Sequence, residues 1–300
     1  RQVRASLIRW LALGAPGDDA VRLHEKGLRI TGALVVSDGE VDPVLGEQST
    51  PGLDLEGCTL DRDLLLAKCR FSHAPVLRNA RVQSLILNGA DLPGLNAERL
   101  EARGNVFLRG VNTTGEVRLL GARVGGNLEC NHGRFENASG NAFHADGLKT
   151  LGNVFLHGVH ATGEVRLLGA RVGGDLSCTG GRFENSGGYA LSAQNVQVTR
   201  TLFWRPDEKG KKNHATGAID LTAAEIGHIC DDPDCWPEPG DLLLNRCRYG
   251  AFTGTGVSGA ERVRWLDLQV PARFGDDFWP QPWEQCAKVL REMGHAEDAR

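Results

Sequence analysis

Methionine, tyrosine and net charge are what this 300-residue sequence has least of: one Met, two Tyr, and 34 basic against 38 acidic side chains for a formal charge of −4. So small a charge excludes the strong cationic field of a nucleic-acid binder and the acidic field of a nucleic-acid decoy. No apolar run approaches the roughly 18 residues that a membrane-spanning helix needs, and no charged-then-apolar secretory leader is recognisable at the start. Proline is scarce, at 12, beside 39 glycines. That ratio points to many tight turns and away from a disordered chain.

What the sequence has in abundance is self-similarity. GNVFLRGVNTTGEVRLLGARVGGNLECNHGRFEN begins at Gly104, and GNVFLHGVHATGEVRLLGARVGGDLSCTGGRFEN begins at Gly152, 48 residues later. Inside this duplication lies a smaller unit, apolar-x-apolar-x-x-small-x-apolar. It is seen at Leu64, Leu66, Cys69 and Phe71, at Val117, Leu119, Ala122 and Val124, and again at Val165, Leu167, Ala170 and Val172. Unit starts recur at Leu28, Leu53, Leu64, Pro75, Leu85, Leu95, Val106, Val117, Leu128, Phe143, Val154, Val165, Leu176, Leu191, Leu202, Ile219, Cys230 and Leu242. The usual step is 11 residues. Each unit holds two short period-2 segments with a bend between them, which reads as two short strands.

One unit cannot enclose a core, but two can. A coil of about 22 residues stacks on its neighbours at the inter-strand spacing of about 4.8 Å. The predicted fold is therefore an all-β repeat: a single-stranded parallel β-helix of nine coils over residues 21–252. Helical caps are expected at residues 1–20 and 253–300. Val3, Leu7, Ile8 and Leu11 share a helical face ended by Gly14 and Pro16. Ser258-Gly-Ala-Glu261 spells a capping box. A second helix from about Pro282 places Trp283, Cys286, Ala287, Leu290 and Met293 on one face. Cys58, Cys69, Cys130, Cys178, Cys230 and Cys247 fall on inward positions of the units, where small apolar side chains fill the core. Reduced thiols imply a cytoplasmic protein.

The longer steps between units are Val36–Gly52, Glu136–Ala142, Glu184–Ala190, Arg205–Ala218 and Asp232–Asp241. All follow the first unit of a coil, so they are expected to leave along one edge, where repeat proteins often bind.

The stretches LNGADL and LLGARVGG resemble pentapeptide repeats with a residue added per unit. GEVRLLGARVGG, IGHICDDPDCWP and QPWEQCAKVLREMGHAEDAR together resemble a bacterial β-helical family often labelled membrane-associated oxidoreductase. The resemblance spans nearly the whole chain and implies a β-helix. It also implies attachment to the inner membrane through hydrophobic segments that family members carry beyond the equivalent of Arg300.

Few residues support redox chemistry. Gly254-Thr-Gly256-Val-Ser-Gly259 has dinucleotide-loop spacing, but it lacks the strand–helix–strand setting such a loop needs. His228, Cys230, Asp231, Asp232, Asp234 and Cys235 cluster in sequence, yet with Cys230 inward they make an incomplete zinc set. His157 and His160 look paired, but their duplicates are Arg109 and Asn112. No cofactor, metal or catalytic residue is predicted.

The outward position of the first strand carries more information. In the first unit of successive coils it is Arg29, Leu65, Ile86, Phe107, Glu129, Phe155, Ser177, Phe203 and Asp231, an apolar ladder for a solvent-facing column. In the second unit the central rungs are Arg118, His144 and Arg166, a basic patch. The expected function is a non-catalytic scaffold. Leu65, Ile86, Phe107, Phe155 and Phe203, with Arg118, His144 and Arg166, would dock a protein partner or a second copy, and not a nucleic acid. One rival is a polysaccharide hydrolase or lyase on the insertion-rich edge, which needs convergent carboxylates. Another is a DNA mimic, which needs acidic columns.

Overall fold

The computed structural model describes residues 1–17, 24–37, 52–269 and 279–300. Strands dominate and form two long sheets, of 12 and 15 strands. All their pairings are parallel, each strand bonding to one roughly a repeat further along the chain, as Val106 does with Leu128 and Val117 with Leu95.

Each layer of the stack contributes to four columns. The first column holds Leu64–Ala67, Leu85–Ile86, Val106–Phe107, Leu128–Glu129, Val154–Phe155 and Leu176–Ser177. The second holds Arg70–Phe71, Asp91–Leu92 and Asn112–Thr113, then the leading halves of Arg134–His144, His160–Arg166 and Arg182–Ser192. The third holds Leu95–Asn96, Val117–Arg118, the trailing halves of those long strands, and Leu242–Leu243. The fourth holds Arg81–Val82, Glu101–Ala102, Arg123–Val124, Lys149–Thr150 and Arg171–Val172. Columns two and three form one sheet; columns one and four form the other.

The 11-residue unit has a local cause. Its fifth residue takes a positive φ, between 52° and 69°, in every unit except those at Leu202 and Cys230. There the chain reverses through a tight turn, as in Ala90 N–H to Leu87 O at 2.9 Å and Ala122 N–H to Leu119 O at 3.0 Å. Positive φ at the third turn residue favours Gly or Asn, which explains Gly89, Gly121 and Asn79 at this position.

A second device fixes the corner between columns four and one. The Asn105 side-chain oxygen accepts the Asn127 N–H at 2.7 Å, Asn127 accepts from Asn153 at 2.9 Å, and Asn153 accepts from Asp175 at 2.7 Å. Asp175 in turn accepts the Thr201 N–H at 3.0 Å. A Cβ on Gly126, Gly152 or Gly174 would collide with the amide oxygen of the layer before, so the recurrent Gly-Asn or Gly-Asp pair is one structural element.

Inward side chains of all four columns join one hydrophobic cluster running from Ala5 and Ile8 to Val289 and Leu290. Helix α1 (Ala5–Ala12) closes the N-terminal end with Ala5 and Ile8. The expected face is rotated there: Gln2–Arg4 is a strand on Leu34–Val36, so Val3 is not helical, and Leu7 is 45% exposed. At the other end α2 (Gly259–Leu266) starts at the expected capping box, and α3 (Gln281–Glu292) buries Cys286, Val289 and Leu290. No helix among the described residues is long and apolar enough to cross a membrane.

The insertions do not share one edge. Residues 136–142 and 184–190 lie between columns two and three, absorbed as bulges within Arg134–His144 and Arg182–Ser192. Residues 205–213 instead lie between columns one and two, because the second-column strand of that layer begins at His214, in register with Arg182. The 232–241 segment contains the 3-10 turn Pro233–Cys235 and runs straight to column three at Leu242. Most of Val36–Gly52 lies outside the described residues.

The first-column strand that follows Leu202–Trp204 is also shifted by one residue from the expected frame. Leu202 pairs with Ile229, Phe203 with Cys230 and Trp204 with Asp231. Ile229 and Asp231 therefore take the positions of the inward Leu202 and Trp204, and Cys230 takes the outward rung expected for Asp231. Cys58 also departs from expectation, being only half-buried, with Arg9 Nη1 at 3.2 Å from its sulfur.

Candidate functional site

The outward rungs of column one are set in register by the sheet. Leu65 stands beside Ile86, Ile86 beside Phe107, Phe107 beside Glu129, Glu129 beside Phe155, Phe155 beside Ser177, and Ser177 beside Phe203. Alternate rungs put the three phenylalanines about 9.6 Å apart by the strand spacing. Leu65, Ile86, Phe107, Phe155 and Phe203 are all half-buried, and none belongs to the core cluster or packs against it. Cations lie at their margin, with the guanidinium groups of Arg109 and Arg205 each 5.2 Å from a ring centroid, over Phe107 and Phe203. Glu129, between two phenylalanines and only 7% exposed, is held by Arg109. Such a carboxylate is tolerated there because its charge is paired and hydrogen-bonded.

The third column differs from expectation. Arg118, His144 and Arg166 do stand on consecutive rungs. They are not a free basic patch, because carboxylates of the same and of neighbouring layers pair with them. Arg118 meets Glu116 at 3.2 Å and Glu98 at 3.8 Å. His144 lies between Glu116, 3.0 Å from Nδ1, and Asp146, 3.1 Å from Nε2. Arg166 donates to Asp146 at 2.7 Å, and that bond raises its pKa. Glu164 accepts from the Ser192 hydroxyl at 2.6 Å. Glu116, Asp146 and Glu164 on this column are thus each engaged by side-chain partners.

His157 and His160 part company. His157 packs edge-on against His132, ring centroids 5.1 Å apart, whereas His160 bonds Glu184 at 2.9 Å. Burial lowers the His132 pKa, and His157, Lys211 and Lys209 lower it further. The 205–213 segment is bound down at this corner by Asn213. Its amide donates to the Cys178 carbonyl at 2.8 Å and accepts the Gly180 N–H at 2.7 Å.

The glycine-rich run after Arg248–Phe252 packs on the chain itself. A Cβ on Gly254 would meet the Asp231 backbone, and one on Gly256 would meet the Pro233 ring at 2.7 Å. The acidic and thiol groups nearby are likewise committed. Asp231 binds Arg262, Asp232 accepts the Asp234 N–H at 2.9 Å, and burial pushes the Cys235 thiol up to about 11. Among the described residues no group of three or more His, Cys, Asp or Glu side chains is arranged to hold a metal ion.

Family models, curated proteins and solved structures all return no match to this chain.

Proposed function

We propose that the two sheets close into a single-stranded parallel β-helix, and that the chain is a non-catalytic platform whose column-one face docks a protein or a second copy of itself. The observation that carries this reading is the in-register apolar row Leu65, Ile86, Phe107, Phe155 and Phe203, half-exposed and separate from the core. A row of this kind on the outside of a sheet is stabilised by being covered. Full burial of an exposed aromatic side chain contributes about 1.5–3 kcal/mol, and completing the burial of these half-buried rings contributes a part of that at each of three rungs. The closed coil is supported by the single cluster that the inward residues of all four columns share. The committed carboxylates of column three favour a platform over a glycosidase, and the cations on its outer columns disfavour a nucleic-acid mimic. Eight free thiols, most of them buried, suit a cytoplasmic setting.

The test is the double variant Phe107→Ser/Phe155→Ser in the full chain. Light scattering across a concentration series is expected to show self-association of the parent and a monomeric variant with unchanged circular dichroism. If the parent is monomeric throughout, pull-down with the parent and the variant as baits reads the partner arm, and the variant should lose the partner. Association or capture unchanged by the substitutions rejects the reading.

A further inference from the structure

Charges on the outward rungs of columns two and three are paired, within a layer or between layers. In column two Arg70 faces Asp91 at 3.6 Å, Arg134 faces Glu136 at 2.8 Å, and Arg182 and His160 share Glu184. Column three is matched as described above. Column four begins with Arg81 on Glu101 at 2.9 Å and ends with Arg248 within 4.0 Å of Glu225. Between those two pairs the rule breaks. Arg123 stands beside Lys149, and Lys149 beside Arg171, in register on adjacent strands. All three are exposed, and none has an ion-pair partner among the described residues. The acid next in line, Glu101, is already taken by Arg81.

Like charges directly abreast on neighbouring strands repel. Three such rungs in a row destabilise the sheet unless an anion lies over them. Two residues beyond Lys149, on the adjoining corner, Leu151 is 79% exposed, the most exposed of the large apolar side chains among the described residues.

We propose that the column-four face binds an acidic helix of a partner protein, its carboxylates one turn apart on Arg123, Lys149 and Arg171 and an apolar neighbour against Leu151. Spacing chooses the helix. The rungs repeat about every 4.8 Å along a straight line. Residues on one face of a helix repeat about every 5.4 Å. Same-face residues of an extended chain are about 6.8 Å apart and fall out of step within three rungs. A line of three cations also matches a linear row of anions better than the plane of a lipid surface. The face is separate from the column-one row, so this inference stands or falls independently of the docking function proposed above.

The probe is a stapled helical peptide with three glutamates one turn apart on one face and a leucine beside them. Its control has the same composition with the glutamates spread around the helix. Fluorescence anisotropy with the full chain is expected to give at least about tenfold tighter binding of the striped peptide, weakening as salt rises. Lys149→Glu should reduce that binding at least about tenfold, and Arg123→Gln/Arg171→Gln should reduce it without adding an acid. Arg182→Gln, in the matched second column, should leave it unchanged. Circular dichroism and melting temperature equal to or above the parent's establish that the column-four variants are folded. The inference is overturned by equal affinity for striped and scattered peptides, or by striped-peptide binding that survives Lys149→Glu. Tighter binding of phosphatidylserine vesicles or of a single-stranded oligothymidylate than of the striped peptide overturns it as well.

Discussion

The guanidinium group of Arg262 and the carboxylate of Asp231 form a two-point ion pair sealed from solvent, Nη1 to Oδ2 at 2.9 Å and Nη2 to Oδ1 at 2.8 Å. Arg262 is 0% exposed, and its charge lies 3.7 Å from the centroid of Phe252. The Trp236 indole N–H donates to the same carboxylate at 2.8 Å. One residue from α2 and one from the strand Glu225–Asp231 thus join the C-terminal cap to the stack.

Removing one partner strands the other charge in a low-dielectric site. Arg262→Ala is expected to cost about 3–5 kcal/mol, whereas Arg262→Met with Asp231→Leu recovers most of that loss, because neither charge then needs solvation. Urea unfolding of the three proteins checks both parts. A mild effect of Arg262→Ala alone would mean that the cap is held by the aromatic contacts of Tyr249, Phe252 and Trp265 and not by the pair.

The same pair explains where the sequence was legible and where it was not. The 11-residue unit could be read because its requirements are local: inward apolar positions alternate, and the fifth residue takes a positive φ. At Ile229–Cys230 two frames satisfy the alternation equally well, and a slip of one residue turns every side chain over. The observed frame turns Asp231 onto Arg262, 31 residues away in sequence, a partner no local pattern reveals. The third column failed in the same manner. Arg118, His144 and Arg166 were visible as a basic row, but Glu116 reaches His144 across 28 residues and Asp146 reaches Arg166 across 20. The insertions were misplaced for a simpler reason. The length of a step counts extra residues without saying whether they precede or follow the second-column strand.

The asparagine corner yields a graded test. Asn127→Ala removes the oxygen that accepts the Asn153 N–H and leaves that donor partly buried without its partner, a loss of about 1–2 kcal/mol. Asn127→Asp keeps the acceptor, as Asp175 does two layers on, and should stay within about 1 kcal/mol of the parent. Denaturant midpoints at constant slope measure both. Equal losses for Ala and Asp would mean that the amide nitrogen, and not the oxygen, matters at this corner.

The last test concerns pH and turns on Glu184. Its carboxylate accepts from Arg182 Nε at 2.5 Å and faces His160 Nε2 at 2.9 Å. The hydrogen bond from Arg182, with that from His160 next, holds its pKa below the ordinary 4.5. A depressed carboxylate pKa means that the unfolded chain binds the proton more readily, so stability rises with pH between the folded and unfolded values. The contribution is complete above about 4.5 and disappears as pH falls through the lower, folded value. Glu184→Gln cannot ionise and lacks this dependence, while the other carboxylates remain in both proteins and cancel in the comparison. The parent is therefore expected to melt at a higher temperature than Glu184→Gln at pH 7, with the gap closing progressively below about pH 4.5. Thermal melts of both proteins in matched buffers read the gap directly. A gap that stays constant into strong acid would mean that Glu184 acts through packing and neutral hydrogen bonds, with no share from its charge.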